Sequence, residues 1–347
     1  MTAAPSRYRR AEVVISFPLE SMGPSLPNLQ ATVAGNLYEL RALSGIRLTD
    51  LDLPAAFAEV YPGPQFGVEG TRELAGVRGR PIIGTIVKPS VGLSPAETAA
   101  LVRTLAEAGV DFIKDDELMA NPPHSPLARR VEAVMREVNN HADRTGRRVM
   151  YAFNITDEID VMPRHHDAVR AAGGTCVMVS LNSIGLPGVT HLRRRASLPI
   201  HGHRNGWGML SRHPYLGMDF LPYQKLYRLA GADQLHTYGL KNKFTEPDDS
   251  VVASARACLT PFLSGPAVMP VISSNQWAGQ APETYERVGS MDVMYLCGGG
   301  ILAHPGGAAA GVASVRQGWE AALARVPLAD YARDHVELRQ ALEHFGA

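Results

Sequence analysis

The run Asp111-Phe112-Ile113-Lys114-Asp115-Asp116-Glu117 sets one lysine directly against three carboxylates at the end of a short apolar stretch. Alternation along a strand puts Lys114 and Asp116 on one face and Asp115 on the other, with Glu117 at the turn into the loop. Lys114, Asp116 and Glu117 can therefore converge on one point. Two chemistries fit that arrangement. As an ammonium, Lys114 makes a salt-bridged strand end, the commoner fate of such clusters. As a neutral amine that has captured CO2 it becomes a carbamate, and this oxygen anion, with two carboxylates and water, suits octahedral Mg2+. The run by itself leaves both open.

The elements that must hold this run repeat along the chain. From about residue 80 onward, short β-rich runs alternate with longer helical patterns, the signature of βα units around a parallel sheet. The strand candidates are Ile82 to Val87, Asp111 to Lys114, Arg148 to Phe153, Thr175 to Val179, Pro199 to His201, Gln234 to Thr237, Val268 to Ile272, and Val293 to Leu296. Between them lie helices such as Ser94 to Ala108, where Ser94 can cap and Glu97 sits at the third helical position. Eight such units predict an α/β fold, a (β/α)8 TIM barrel over residues 76–347, with a doubly wound open sheet as the competing topology. Residues 1–75 break the rhythm. Val13 to Phe17 reads as a strand, Pro27 to Ala34 and Leu48 to Leu51 as a helix-and-strand segment, and Tyr61-Pro62-Gly63-Pro64 as a turn. A small N-terminal α+β domain is the expectation.

Barrels gather functional side chains at the C-terminal ends of their strands. Here those ends carry Lys88-Pro89-Ser90, then Lys114 with Asp116 and Glu117, then Asn154, then His201, His203 and Arg204. His236 follows, with the loop Gly239 to Lys243, then Ser273-Ser274-Asn275 and finally Gly298-Gly299-Gly300. The glycine triplet permits a turn whose amides point at an anion, or simply a tight turn. His203 beside Arg204, and His236 beside the Lys241/Lys243 loop, supply a proton-transfer group and cations for an anionic substrate; either imidazole alone equally suits a structural role. Lys243 reads as a lid lysine or a solvated one. The Arg193-Arg194-Arg195 run reads as a solvated helix end.

Composition limits the function classes. Lys+Arg and Asp+Glu number 34 each over 347 residues, so no global field favours nucleic acid or an anionic membrane. Cys176, Cys258 and Cys297 have no paired spacing for zinc or a redox disulfide and read as buried residues of a reducing compartment. Met1 to Pro5 lacks the layout of a signal peptide, and no apolar run reaches membrane-spanning length. A cytoplasmic protein is expected.

Taken together, the chain resembles the RuBisCO large subunit and, more closely, the RuBisCO-like proteins. The resemblance runs from about Val14 to Val326. It is carried by Gly35-Asn36, Gly84-Thr85-Ile86-Val87-Lys88-Pro89, Gly92-Leu93-Ser94, Asp111 to Glu117, His201-Gly202-His203-Arg204, Asp233 to His236, and Gly298-Gly299-Gly300 with His304-Pro305. It implies that Lys114 is carbamylated by CO2 and binds Mg2+ with Asp116 and Glu117. By the same resemblance, Lys88 handles the substrate's proton, His203 is the metal-proximal histidine, and Lys243 is the mobile-loop lysine. Arg204 and His236 would hold one phosphate and Gly298, Gly299 and Gly300 a second, and Ser273 matches the family's seventh-strand serine of the substrate site. Asn36 would reach the site of a neighbouring subunit, so a homodimer with shared sites is implied.

Departures from the family pattern narrow the expected activity. Ser90 stands where carboxylases have a second lysine, Ser274 and Asn275 stand where two glycines would leave room for a phosphate, and the family's N-terminal glutamate and threonine-tryptophan contribution has no visible counterpart. CO2 fixation on a bisphosphate is not expected; enolate chemistry is. The loop Gly239 to Phe244 with Thr245-Glu246-Pro247 is most similar to RuBisCO-like members of acid-sugar catabolism, which decarboxylate a 3-oxo sugar-acid phosphate such as 3-oxo-isoapionate 4-phosphate. The alternatives are an enolase or isomerase acting on a methylthioribulose-type phosphate, and a non-catalytic sugar-phosphate-binding relic.

Overall fold

Eight parallel, largely buried strands close in sequence order into a barrel. They are β1 (Ile82–Ile86), β2 (Phe112–Lys114), β3 (Met150–Asn154), β4 (Cys176–Ser180), β5 (Ile200–His203), β6 (Gln234–Tyr238), β7 (Met269–Ser273) and β8 (Met294–Leu296). The computed structural model describes residues 9–61 and 63–346. All eight expected strands are present and the open-sheet alternative is not, because β8 pairs with both β7 and β1. The expectation for Met1 to Pro5 falls on residues outside those described, as does Pro62 of the expected Tyr61–Pro64 turn.

Strand alternation explains why so little of the chain's apolar content shows a simple polar face. Ile82, Phe112, Met150, Met178, Val271 and Leu296 point into the barrel and form one cluster. Their neighbours Ile83, Ile113, Tyr151, Val177, Ile200 and Ile272 point outward and pack with the helices in another. Strands buried on both faces read as continuous hydrophobic runs. Gly84 must be small: a Cβ there would lie 2.5 Å from Leu296 Cδ2 and 2.8 Å from the Phe112 carbonyl oxygen. The helix Pro95–Glu107 opens with the expected capping box, Ser94 accepting from the Glu97 amide and Glu97 accepting from that of Ser94.

Residues 9–75 differ from expectation in two respects. Of Leu48 to Leu51 only Leu48 is in a strand. Val13 to Phe17 forms no strand, and Val14 is 92% exposed. A β-prone stretch without a partner strand has no ladder to join. The helix Leu26–Ala34 buries Leu26, Leu29 and Val33 in the same cluster as the outer faces of the barrel strands. The two-residue strand Arg47–Leu48 pairs with Gly217–Met218, which lies between β5 and β6. Tyr38 donates to the Gly217 carbonyl at 2.6 Å, and Arg47 meets Asp219 at 2.5 Å. This region thus buttresses the loop that follows His203 and Arg204. Among the described residues, no helix is long and apolar enough to cross a membrane.

The Arg193 reading needs correction. Arg194 and Arg195 are exposed, but Arg193 is buried and bonds Asp233 at 2.8 Å. Asp233, at the start of β6, also accepts from the amides of Gln65, Phe66, Gly67 and Ile200. Asp111, at the start of β2, is held similarly by Arg80, Arg147, Arg316 and the Ile83 amide. The N-terminal ends of both strands are therefore closed ionic joints.

Candidate active site at the C-terminal end of the barrel

The inward register that carries Phe112 and Met178 at mid-barrel ends, at the C-terminal rim, on Lys114, Asn154, Ser180, His203, His236 and Ser273. Lys114 is 1% exposed, and its amine donates to the Asp115 carbonyl at 2.9 Å. It lies 3.9 Å from Glu117 Oε2, which is in turn 3.7 Å from His203 Nε2. Asp116 Oδ2 receives the Lys88 amine at 2.5 Å, and Lys88 also donates to Ser90 Oγ at 2.7 Å. Lys88, Lys114, Asp116, Glu117 and His203 are thus brought together. Asp115 points the other way, as alternation requires, into a closed set made by Arg130, Tyr151 and the Asn154 amide.

Burial is the largest influence on Lys114 and drives its pKa below the ordinary lysine value, aided by Lys88 and opposed by Glu117 and Asp116. A buried amine biased toward its neutral form is the species that can take up CO2. Burial opposes ionisation of Asp116 too, but the Lys88 hydrogen bond, the Leu118 amide and Lys114 outweigh it and lower its pKa. Burial also depresses His203 and His236 well below the usual imidazole value, and His201 to about 3, so all three are neutral at physiological pH. The donor set fits a hard divalent cation. Asp116 and Glu117 are carboxylates at the rim, and the Lys114 amine has one backbone acceptor and lies 3.9 Å from Glu117.

Some of this arrangement was not apparent in the sequence. Asn154 donates to the carbonyls of both Asp116 and Glu117 at 3.1 Å, fixing the backbone that aims those carboxylates. His201 bonds Gln234 at 2.7 Å and His236 at 2.8 Å, and His236 Nδ1 lies 3.2 Å from Ser273 Oγ. The His-Gly-His alternation in β5 signals two inward imidazoles; the Gln234 partner has no such signal. Ser274 and Asn275 adopt left-handed backbone angles (φ 74° and 58°), as glycines would, while carrying side chains. Their turn leads into Gln276 and Trp277, against which Gly300 packs so closely that a Cβ would lie 2.5 Å from the Gln276 carbonyl oxygen. Gly298 and Gly299 face open space.

Three expected site residues stand apart from this cluster. Arg204 is buried, but its charged partner is Glu246, at 3.0 Å. Lys243 is exposed, with its amine 5.5 Å from the Phe244 ring centre. Asn36 is exposed on its own chain.

The fold and the sequence match known proteins. Residues 67–345 match the ribulose bisphosphate carboxylase large chain, catalytic domain. The chain therefore belongs to the RuBisCO large-chain family, and within it to the RuBisCO-like proteins. It is 52% identical to the 3-oxo-isoapionate-4-phosphate decarboxylase of Rhizobium etli, over 99% of this chain and 83% of that protein. It is 55% identical to the 3-oxo-isoapionate-4-phosphate transcarboxylase/hydrolase of Xanthobacter autotrophicus, over 98% of this chain and 82% of that protein. The crystal structure of a RuBisCO-like protein from Burkholderia fungorum superposes with a TM-score of 0.93 at 55% identity, covering 94% of this chain and 82% of that one.

Proposed function

We propose that this protein is an Mg2+-dependent decarboxylase of a 3-oxo sugar-acid phosphate of the 3-oxo-isoapionate 4-phosphate type, and not a CO2-fixing carboxylase. The observation that carries this reading is the convergence of a buried Lys114, Asp116, Glu117, Lys88 and His203 on one point of the rim, with Ser90 in place of a second lysine. Lys114 as its carbamate, Asp116 and Glu117 are the residues that would hold Mg2+. When bound, the ion supplies electrophilic stabilisation of negative charge developing on the substrate's carbonyl oxygen. The remaining work falls to side chains. Lys88, held by Asp116 and Ser90, is the proton donor: as the bond to the carboxylate carbon breaks and CO2 departs, the electron pair left on the α-carbon takes up the Lys88 proton. His203, neutral and beside Glu117, is an acceptor that orients a substrate hydroxyl. The glycine edge at Gly298 to Gly300, with Ser273, supports the phosphate, and Lys243 closes over the site from its loop.

Asn36 is assigned to the site of a second copy, in a homodimer working in the cytoplasm. The exposed apolar side chains of Val13, Val14, Ile15 and Phe17 support such an association.

The 55% identity to a transcarboxylase/hydrolase gives a second reading in which the carboxyl group is retained in a product. Incubation with 3-oxo-isoapionate 4-phosphate in deuterated water distinguishes them. Release of one CO2 per turnover, with deuterium at the former α-carbon, supports decarboxylation; products that together keep every carbon, with no CO2 released, support the second reading. Deuterium exchange with no CO2 release and no carbon rearrangement sinks both and favours an isomerase.

A further inference from the structure

Arg204 follows His203 at the end of β5 and is 3% exposed. Its guanidinium lies 4.1 Å from the Tyr238 ring centre and 4.6 Å from that of Phe220. A guanidinium so buried stays charged and requires an anion. Nη2 donates to Glu246 Oε2 at 3.0 Å, while Nε and Nη1 are buried without a partner among the described residues. By placement, at the functional end of the barrel, and by its unsatisfied N–H groups, this is an anion pocket with one anion already in it.

Glu246 is built to occupy it. Its Oε1 accepts from Ser250 Oγ at 2.9 Å and from Ser254 Oγ at 3.4 Å, both on the helix Asp248–Leu259. Its carbonyl accepts from Asn242 Nδ2 at 3.1 Å, tying it to the Gly239–Lys243 loop. The Arg204 and Glu246 side chains are 2% and 8% exposed, so the pair is screened little by salt. The opposite edge of the rim is formed differently. There Gly298 and Gly299 leave open space, and Ser274 Oγ is buried without a partner in the turn that leads to Gly300's packing surface.

We propose that Glu246 is a specificity-determining residue: its carboxylate takes the place of a second phosphate at Arg204, so that the site accepts a sugar monophosphate at the glycine edge and rejects a bisphosphate. This rests on the reading that the C-terminal rim binds the substrate. A phosphate dianion entering the Arg204 pocket meets a fixed carboxylate, and such like-charge juxtaposition weakens binding by roughly a hundredfold.

The test is titration calorimetry of the full chain with xylitol 5-phosphate and with xylitol 1,5-bisphosphate, neither of which can react by decarboxylation. The wild type is expected to bind the bisphosphate no more tightly than the monophosphate. Glu246→Gln, which keeps shape and the serine contacts but removes the charge, is expected to tighten the bisphosphate roughly a hundredfold while moving the monophosphate less than about threefold. The inference is overturned if the Glu246→Gln protein, with melting temperature retained, leaves the ratio of the two affinities unchanged. A wild type that already prefers the bisphosphate overturns it too, and that comparison needs no variant to fold. If neither polyol binds the wild type, the assignment of the rim as the substrate site fails as well; if the monophosphate binds and only the ratio fails to respond, the role of Glu246 fails alone.

Discussion

The two ends of the barrel use the same residue types to opposite purpose. At the N-terminal end, Asp233 and Asp111 begin β6 and β2, and each is enclosed by guanidinium and amide donors. Six or fewer residues later, the same two strands end in Lys114, Asp116, Glu117 and His236, whose partners are few, long or shared. Asp115 and Asp116 show the contrast between adjacent residues. The first is locked by Arg130 at 3.1 Å and Tyr151 at 2.5 Å; the second accepts from the Leu118 amide at 3.1 Å and from Lys88, a charged partner that is itself 45% exposed at its side chain. A charged group that is fully satisfied holds the fold together. One that is buried yet incompletely satisfied is costly to the fold and is retained for what it can bind.

That comparison separates stability from activity, and the largest expected effect tests it directly. Lys114→Met removes the group on which the metal site depends, so turnover should fall by about a thousandfold or more, several kcal/mol of charge stabilisation at about 1.4 kcal/mol per decade. The same substitution relieves a buried amine of its desolvation penalty, so in metal-free, CO2-free buffer the urea midpoint should rise. A falling midpoint would place Lys114 with the closed ionic joints instead. Asp233→Ala should do the reverse: about 3–5 kcal/mol of stability lost, since Arg193 is left buried and unpaired, with turnover per folded molecule retained. Urea unfolding and active-site titration measure the two quantities separately.

The difference between the ends also predicts a pH effect. Lys114 has a folded pKa below its usual 10.5, so in the pH window between them the unfolded state binds the extra proton. Stability without metal or CO2 should therefore rise as pH increases from the depressed value toward 10.5, and this slope should vanish in Lys114→Met. CO2 uptake, followed by mass increase after trapping the carbamate, should rise over the range in which Lys114 loses its proton. A wild type and variant with parallel stability–pH curves would count against the depressed lysine.

Legibility in the sequence follows the same division. The barrel was readable because strand alternation and βα spacing are local properties, and Lys114, Asp116 and Glu117 because their convergence needs only neighbours within one strand end. Arg193 was misread because its partner, Asp233, is forty residues away and reaches it only once β5 and β6 lie side by side. The pairing of Glu246 with Arg204 was not legible for a related reason: the loop Thr245-Glu246-Pro247 reads as a family feature, but nothing local marks its glutamate as the partner of a buried arginine at the end of β5. Val13 to Phe17 failed in the other direction, since residue type suggested a strand that no neighbouring strand completes. Contacts made within an element are legible; contacts that depend on which elements become neighbours are legible only after the topology is known.

Within the closed end, redundancy sets the smallest effect. Asp111 keeps a two-point contact with Arg80, at 2.6 and 2.9 Å, together with the Ile83 amide at 2.9 Å and Arg316 at 3.3 Å. Arg147 is the outermost partner, 3.5 Å from Asp111 Oδ1 and 58% exposed at its side chain, so water and salt already compete for its charge. Arg147→Ala should therefore cost less than about 1 kcal/mol, with the difference shrinking in high salt. Arg80→Ala should cost more, because it removes the two-point charged contact from a carboxylate that is 1% exposed and leaves the Ile83 amide with the longer Arg316 and Arg147 contacts. Urea midpoints of the two variants at low and high salt decide the matter: if Arg147→Ala proved as damaging as Arg80→Ala, the joint would depend on its whole ring of cations rather than on its buried contacts, and satisfaction of the carboxylate would no longer explain why this end is rigid.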